Sequence, residues 1–186
     1  TREKKFFEPM LAHVLSDHKK LLFTVKTFIQ PKMDGLACIS ENNTLMSRNG
    51  KPYTSCPHLH QNEVTIHGEL YNKEYYNNFN AIVSLCKKQK PTSDERKETS
   101  KKVQLWMYDF PSSKEKVFSE RYKDLKAWYE KNKSPKYVLV PTFEVKSEAD
   151  IQKYNDKFLE EGFEGSIIRL DLGPYENKRS KQVLKL

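Results

Sequence analysis

The chain has 186 residues, 37% hydrophobic and 12% aromatic, with 33 Lys and Arg against 25 Asp and Glu for a net charge of +8. That length and apolar content exclude a disordered segment and allow one sizeable core, while 31% charged residues and a mean hydropathy of −0.83 demand a very polar surface. A pI ≈ 9.2 suits a polyanionic partner such as nucleic acid, although a solvated lysine-rich face produces the same balance.

In chain order, LLFTVKTFIQPK (21–32) and GLACIS (35–40) read as strands, rich in β-branched and aromatic residues and punctuated by Pro31 and Gly35. TLMSRNGKPYTS (44–55) reads as a strand turning at Asn49-Gly50, and EVTIHGELY (63–71) as another strand. From Asn72 to Lys88 the period becomes helical, with Tyr75, Phe79, Ile82, Val83 and Cys86 at three- and four-residue spacing and Asn72 as N-cap. KKQKPTSDERKETSKK (87–102) has no apolar residue and reads as an exposed mobile loop. KVQLWMYDF (102–110) returns to a strand, and SERYKDLKAWYEKN (119–132) to a helix. YVLVPTFEV (137–145) is a strand interrupted by Pro141. SEADIQKYNDKFLEEG (147–162) is the clearest helix. Its N-cap is Ser147, Asp150 holds the capping-box position, and Ile151, Tyr154, Phe158 and Leu159 share one face before Gly162 ends it. FEGSIIRL (163–170) is a final strand. With no internal repeat or linker, one α+β domain dominated by antiparallel strands is expected.

Cys38, Cys56 and Cys86 are odd in number and include no CxxC pair, which argues against a disulfide framework or a structural zinc site and for a reducing compartment. No run approaches the roughly 18 apolar residues of a membrane span, and TREKKFFEPM lacks a signal-peptide core, so an intracellular protein with no membrane partner is expected.

Lys32 and Asp34 interrupt an apolar stretch, FIQPKMDGLACIS, either as a hairpin turn or because Lys32 is a nucleophile. Lys-x-Asp-Gly alone is a weak motif. It is followed, in order, by Ser47-Arg48-Asn49-Gly50, His67-Gly68-Glu69-Leu70-Tyr71 and Trp106-Met107-Tyr108-Asp109-Phe110. Then come Glu164-Gly165-Ser166-Ile167-Ile168-Arg169, Tyr175, Lys178-Arg179-Ser180 and Lys181-Gln182-Val183-Leu184-Lys185-Leu186. This ordered set, running from Gln30 to Lys185, resembles the adenylation (nucleotidyltransferase) domain of ATP-dependent DNA ligases, among them the small viral and phage-type enzymes. The resemblance implies an ATP-grasp-like fold of largely antiparallel sheets flanked by helices over residues 1–186, with an OB-fold domain C-terminal to it. It implies ATP as AMP donor, Mg²⁺, nicked duplex DNA as partner, and a monomer in the cytoplasm or nucleoid.

It also assigns roles, which the residue types can fill. Lys32 attacks the ATP α-phosphate to form lysyl-AMP, a task for which a lysine must lose its proton through desolvation or neighbouring cations. Asp34, acceptor-only when ionised, orients the lysine or meets the metal shell. Gln30 reads the adenine amino group, Tyr108 stacks on the ring and Glu69 binds the ribose hydroxyls. Glu164 holds the metal, Arg48 and Arg179 hold DNA phosphate, and Arg169 and Lys185 contact the nucleotide phosphates. Trp106, Tyr108 and Phe110 alternate on one strand face and read equally as core.

Two positions depart from the family pattern. Ala37 stands where an arginine is usual, and His67 stands where an acidic residue commonly precedes Gly-Glu-Leu, reading as a satisfied, partly buried histidine. The chain ends one residue after Lys185, which reads as a domain boundary. An RNA ligase or mRNA capping guanylyltransferase of the same covalent superfamily is the alternative. A non-catalytic basic DNA-binding domain accounts for the charge but not for the ordered motifs.

Overall fold

The computed structural model describes residues 6–75 and 78–186. Two five-stranded sheets carry the chain. The first contains β1 (Leu11–Val14), β2 (Thr27–Lys32), β8 (Phe143–Val145), β9 (Gly165–Leu170) and β10 (Arg179–Lys185), ordered β1-β10-β9-β2-β8. The second contains β3 (Leu36–Glu41), β4 (Thr44–Met46), β5 (Ile66–Tyr71), β6 (Gln104–Asp109) and β7 (Tyr137–Leu139), ordered β4-β3-β5-β6-β7. Pairing is antiparallel except for β1 with β10 and β6 with β7. Helices α1 (Phe79–Cys86) and α2 (Ser93–Lys102) lie between β5 and β6, α3 (Phe118–Lys131) between β6 and β7, and α4 (Glu148–Glu160) between β8 and β9.

The chain passes from one sheet to the other at Met33-Asp34-Gly35, between β2 and β3, and again at Val140-Pro141-Thr142, between β7 and β8. Pro141 therefore does more than interrupt a strand. Lacking an N–H, it ends the β7 ladder and releases the chain into the other sheet. At the first crossing Met33 is buried in the core while Lys32 and Asp34 on either side stay partly exposed.

Two main clusters form the interior. Leu45, Leu59, Ile66, Leu70, Leu105 and Met107 pack with Ile82 and Cys86 of α1 and Leu125 of α3. The opposite face of the second sheet, through Tyr71 and Trp106, joins Ile29, Ile168, Leu170 and Leu184 of the first sheet and Ile151 and Phe158 of α4. Each buried aliphatic side chain here contributes about 1.5–3 kcal/mol. Cys38, Cys56 and Cys86 are free and buried.

Several sequence-based boundaries shift. Residues 93–102 are a helix and not a mobile loop. Thr92 accepts from the Glu95 N–H while Glu95 accepts from the Thr92 N–H, completing a capping box, and Glu95 also pairs with Lys88 at 2.5 Å. The helix docks without apolar side chains because the buried Thr99 hydroxyl donates to the Ser55 carbonyl at 2.5 Å. The α1 helix begins at Phe79 with Asn78 as its cap, since the Asn72 carboxamide is spent on the Glu74 N–H and the Lys102 carbonyl. Residues 76 and 77 of the expected 72–88 helix lie outside the described residues. The expected strand over 21–32 is a strand only from Thr27, because Thr27 Oγ1 accepts from the Phe23 N–H across a tight turn. On α4, Ser147 caps the Asp150 N–H, but the Asp150 carboxylate returns to Lys146, one residue earlier than a capping box requires. Leu159 is 49% exposed, off the packed face, and Gly162 ends the helix at φ 92.

Candidate active site at the sheet crossing

Side chains at alternate positions of a strand share a face, so Gln30 with Lys32 on β2 and His67 with Glu69 on β5 present together. Tyr108 joins them through a β-bulge: His67 pairs with Asp109 and Gly68 with Met107, leaving Tyr108 as the extra residue of β6. These residues line a cavity of ≈ 230 Å³, closed on one side by Met10, Ile167 and Val183. The cavity opens at Ala37, Arg48 and Glu69 toward a wider groove of ≈ 740 Å³ lined by Ser47, Lys51, Phe79 and Lys87. Ala37 sits in the passage between the two, where a long side chain would stand.

Lys32 closes β2 opposite Gly165, and its Nζ lies 3.3 Å from Glu164 Oε2 with both side chains partly exposed (36% and 47%). It stands at the mouth of the apolar wall and is not buried in it. The Glu164 N–H donates to the Lys32 carbonyl, so backbone as well as charge joins the two residues. Burial, then the neighbouring Glu164 charge, raises the Asp34 carboxyl above its ordinary range, with Lys32 pulling the other way. Glu69 is pushed up to about 8 by burial, against the Gly35 N–H at 3.3 Å and the Tyr108 hydroxyl at 3.4 Å that favour its ionised form. Gly35 is required for space: a Cβ there would stand 2.4 Å from the Leu70 carbonyl oxygen.

Gln30 is buried and fully engaged. Its amide nitrogen donates to the Tyr108 carbonyl and Thr142 Oγ1, and its oxygen accepts from Arg169 Nε. The expected base-reading carboxamide thus ties the two sheets together. Arg169, expected at the nucleotide phosphates, is 3% exposed; it donates from Nη1 to Asp109 and lies 5.1 Å from the Tyr108 ring centroid. It lines the cavity as a support for Tyr108. Asp109, for which the sequence offered no role, binds both Arg169 and the fully buried Arg121. Burial alone would raise its carboxyl, but the two guanidiniums and the Phe110 N–H reverse this and hold it low.

Arg48 is exposed on the Ser47–Gly50 turn and faces both cavities. Lys185 lies opposite Ile167, which pairs with Gln30, and shares a strand face with the cavity-lining Val183. Arg179 is not brought in: it opens β10, donates to the Ala12 carbonyl at 2.5 Å and lines neither cavity. Trp106 belongs to the core with Tyr71, Phe110 packs in the other cluster, and Tyr108 alone of the three reaches the cavity. Sequence reasoning missed Met10, Thr142 and Asp109. The first two sit on short segments with no periodic signal, and Asp109, although it lies in a quoted motif, carries nothing in its neighbours that announces its two arginine partners.

Which divalent cation ligands are available is decided by these few acids. Among the described residues no group of three or more His, Cys, Asp or Glu is poised around one point. Asp34 and Glu164, close enough that the Glu164 charge raises the Asp34 carboxyl, leave a sparse carboxylate pair that suits Mg²⁺ completed by phosphate oxygens and water.

A curated DNA ligase from Haemophilus influenzae is 26% identical over 157 residues, covering 83% of this chain. The chain spans 55% of that relative's length. Among solved structures, Chlorella virus DNA ligase–adenylate superposes with a TM-score of 0.76 at 19% identity, covering 96% of this chain and 68% of the other. The ATP-dependent DNA ligase of bacteriophage T7, solved with ATP, gives 0.69 at 16% identity, covering 95% and 67%. These two likenesses show the fold, which among the described residues is two mostly antiparallel sheets with four α-helices. Residues 9–186 match the ATP dependent DNA ligase domain family, and over nearly its whole length this chain therefore belongs to that family.

Proposed function

We propose that this domain catalyses nucleotidyl transfer for an ATP-dependent DNA ligase that seals nicks in duplex DNA, working with a C-terminal OB-fold domain as an intracellular monomer. The observation that carries the reading is Lys32 at the cavity mouth, paired with Glu164 at 3.3 Å and neighboured by Asp34. Lys32 Nζ, partly exposed at the cavity mouth, loses a proton to solvent and attacks the ATP α-phosphate. An N–P bond forms, the bond to pyrophosphate breaks, and AMP remains on the lysine. AMP then passes to the 5′-phosphate of a nick, freeing Lys32, and the 3′-hydroxyl displaces it to close the strand.

Tyr108 offers the ring for the base, and Glu69 an acceptor for ribose hydroxyls once it is ionised. Gln30 acts on the base indirectly, by fixing the backbone of Tyr108. Arg48 suits the nick phosphate through its planar fork, and Lys185 approaches from β10. Asp34 and Glu164 would hold Mg²⁺, which when bound offsets charge on the phosphate oxygens.

The test compares sealing of nicked duplex DNA and of RNA ends with ATP or GTP, alongside sealing of a pre-adenylated DNA nick. Sealing of nicked DNA with ATP, lost in Lys32→Ala except on the pre-adenylated nick, is expected. Activity with GTP alone or on RNA ends alone, or failure on every substrate including the pre-adenylated nick, overturns the reading.

A further inference from the structure

His67 is buried at 4% exposure and each of its ring nitrogens meets a tyrosine hydroxyl. Nδ1 lies 3.1 Å from Tyr175 Oη and Nε2 lies 3.2 Å from Tyr108 Oη. Burial, reinforced by the Arg169 charge, lowers its pKa to about 3, so the ring is neutral and carries one N–H. The remaining partners decide which nitrogen bears it. Tyr175 Oη already accepts from the Met10 N–H at 2.8 Å, and the Tyr108 hydroxyl donates to Glu69 Oε1 at 3.4 Å. With Glu69 ionised, one assignment lets every group donate its own hydrogen. Tyr175 gives its proton to Nδ1, and Nε2–H gives its proton to Tyr108, whose own goes to Glu69.

Tyr108 is held from two further sides. Its ring centroid is 4.8 Å from the His67 ring at 59°, and the Arg169 guanidinium lies 5.1 Å from it. As the bulged residue of β6 it lacks the ladder register of its neighbours, so side-chain contacts must supply its orientation. Met10 and Tyr175 both belong to a small separate cluster with Val183 of β10, which also lines the cavity.

We propose that His67 is a positioning residue of the nucleotide pocket, the centre of a relay from the Met10 N–H through Tyr175, His67 and Tyr108 to Glu69 that aims the base-binding ring and the ribose-binding carboxylate together. The proposal rests on the nucleotidyltransferase reading of the cavity. It gives a physical reason for a histidine at a place the family usually fills with an acid: an imidazole can accept on one side while donating on the other, which a carboxylate cannot do. The relay links the N-terminal segment before β1 and the β9–β10 connection to the pocket.

Removing one neutral hydrogen bond of the relay should raise KM for ATP about fivefold with kcat unchanged, because an aimed pocket binds substrate and transition state alike. The experiment measures AMP transfer from labelled ATP to the protein for His67→Ala, Tyr108→Phe and the double variant, each checked for folding by thermal melting. Because the two residues act in series, the double variant should match Tyr108→Phe alone. His67→Gln, whose carboxamide reaches toward Tyr108, should stay within about twofold of the unaltered chain, and His67→Asn, which reaches only toward Tyr175, should resemble His67→Ala. Equal behaviour of Gln and Asn, or KM increases that multiply in the double variant, overturns the relay while leaving the transfer reading intact. An unaltered chain that takes no label and also fails to seal a pre-adenylated nick overturns both. Imidazole nitrogen NMR on the unaltered chain gives a readout free of variants: above about pH 8, where Glu69 is ionised, the Nε2–H tautomer is expected, and a charged ring or the Nδ1–H tautomer contradicts the proposal.

Discussion

Glu69 and Asp109 are two acids of one sheet pushed in opposite directions. Glu69 has a folded value of about 8 against an ordinary 4.5, raised chiefly by burial. As pH climbs between those values the unfolded chain releases a proton that the folded chain keeps, so stability falls, and the full penalty stands above about 8. Glu69→Gln stays neutral throughout. Its stability relative to the unaltered chain should therefore grow with pH across that window, by a few kcal/mol at most, and then level off. Urea unfolding at a series of pH values checks this; parallel profiles would contradict it. Asp109 has the reverse sign, its stabilisation present above the ordinary carboxylate range and lost as pH falls through its depressed value. Because its carboxylate pairs with both Arg121 and Arg169 at 0% and 3% exposure, Asp109→Asn leaves buried cations short of charge. A loss of about 3–5 kcal/mol is expected at neutral pH, measured by the same unfolding. Both residues lie in quoted motifs, yet only Glu69 drew an expected role from the sequence. A buried double salt bridge depends on α3 and β9 reaching one carboxylate, and nothing in WMYDF announces them.

Among the secondary-structure elements, α2 is the one that composition misread most. A run with no apolar side chain reads as solvent-exposed chain, yet a capping box and a single buried hydroxyl seat it as a helix. Thr99→Val should keep the volume and remove the donor to the Ser55 carbonyl, costing about 1–3 kcal/mol, and should expose residues 93–102 to limited proteolysis. Unchanged cleavage of that segment would contradict the role given to Thr99. By contrast, β5, β6, α3, α4 and β9 were legible from their β-branched, aromatic and aliphatic runs, and α4 also from its Ser147 cap and Gly162 end. β1 was not, since four residues at the sheet edge carry no period of their own and are fixed by β10, whose residues lie far along the chain. Pro141 was legible as a break, but its transfer of the chain between sheets was not, because strand partners are tertiary facts.

For the molecule as a whole, the two sheets matter through the place where they exchange the chain. Lys32 ends a strand of one sheet, Glu69 and Tyr108 come from the other, and Gln30 joins them through Tyr108 and Thr142. The linear order of motifs was readable; their convergence required the crossing at Met33-Asp34-Gly35. The same crossing places a small Ala37 between the pocket and a groove lined by Arg48, Lys51 and Lys87, so cations from other elements border the passage that an arginine at 37 would enter. In the proposed function this assembly makes Lys32 the acceptor of AMP. Its most direct test is to incubate the protein with ATP and Mg²⁺ and locate any adduct by peptide mass mapping. One AMP is expected on the peptide containing Lys32, acid-labile and alkali-stable as a phosphoramidate must be, and absent from Lys32→Ala. An adduct on another residue, or none while ATP is bound, would contradict it.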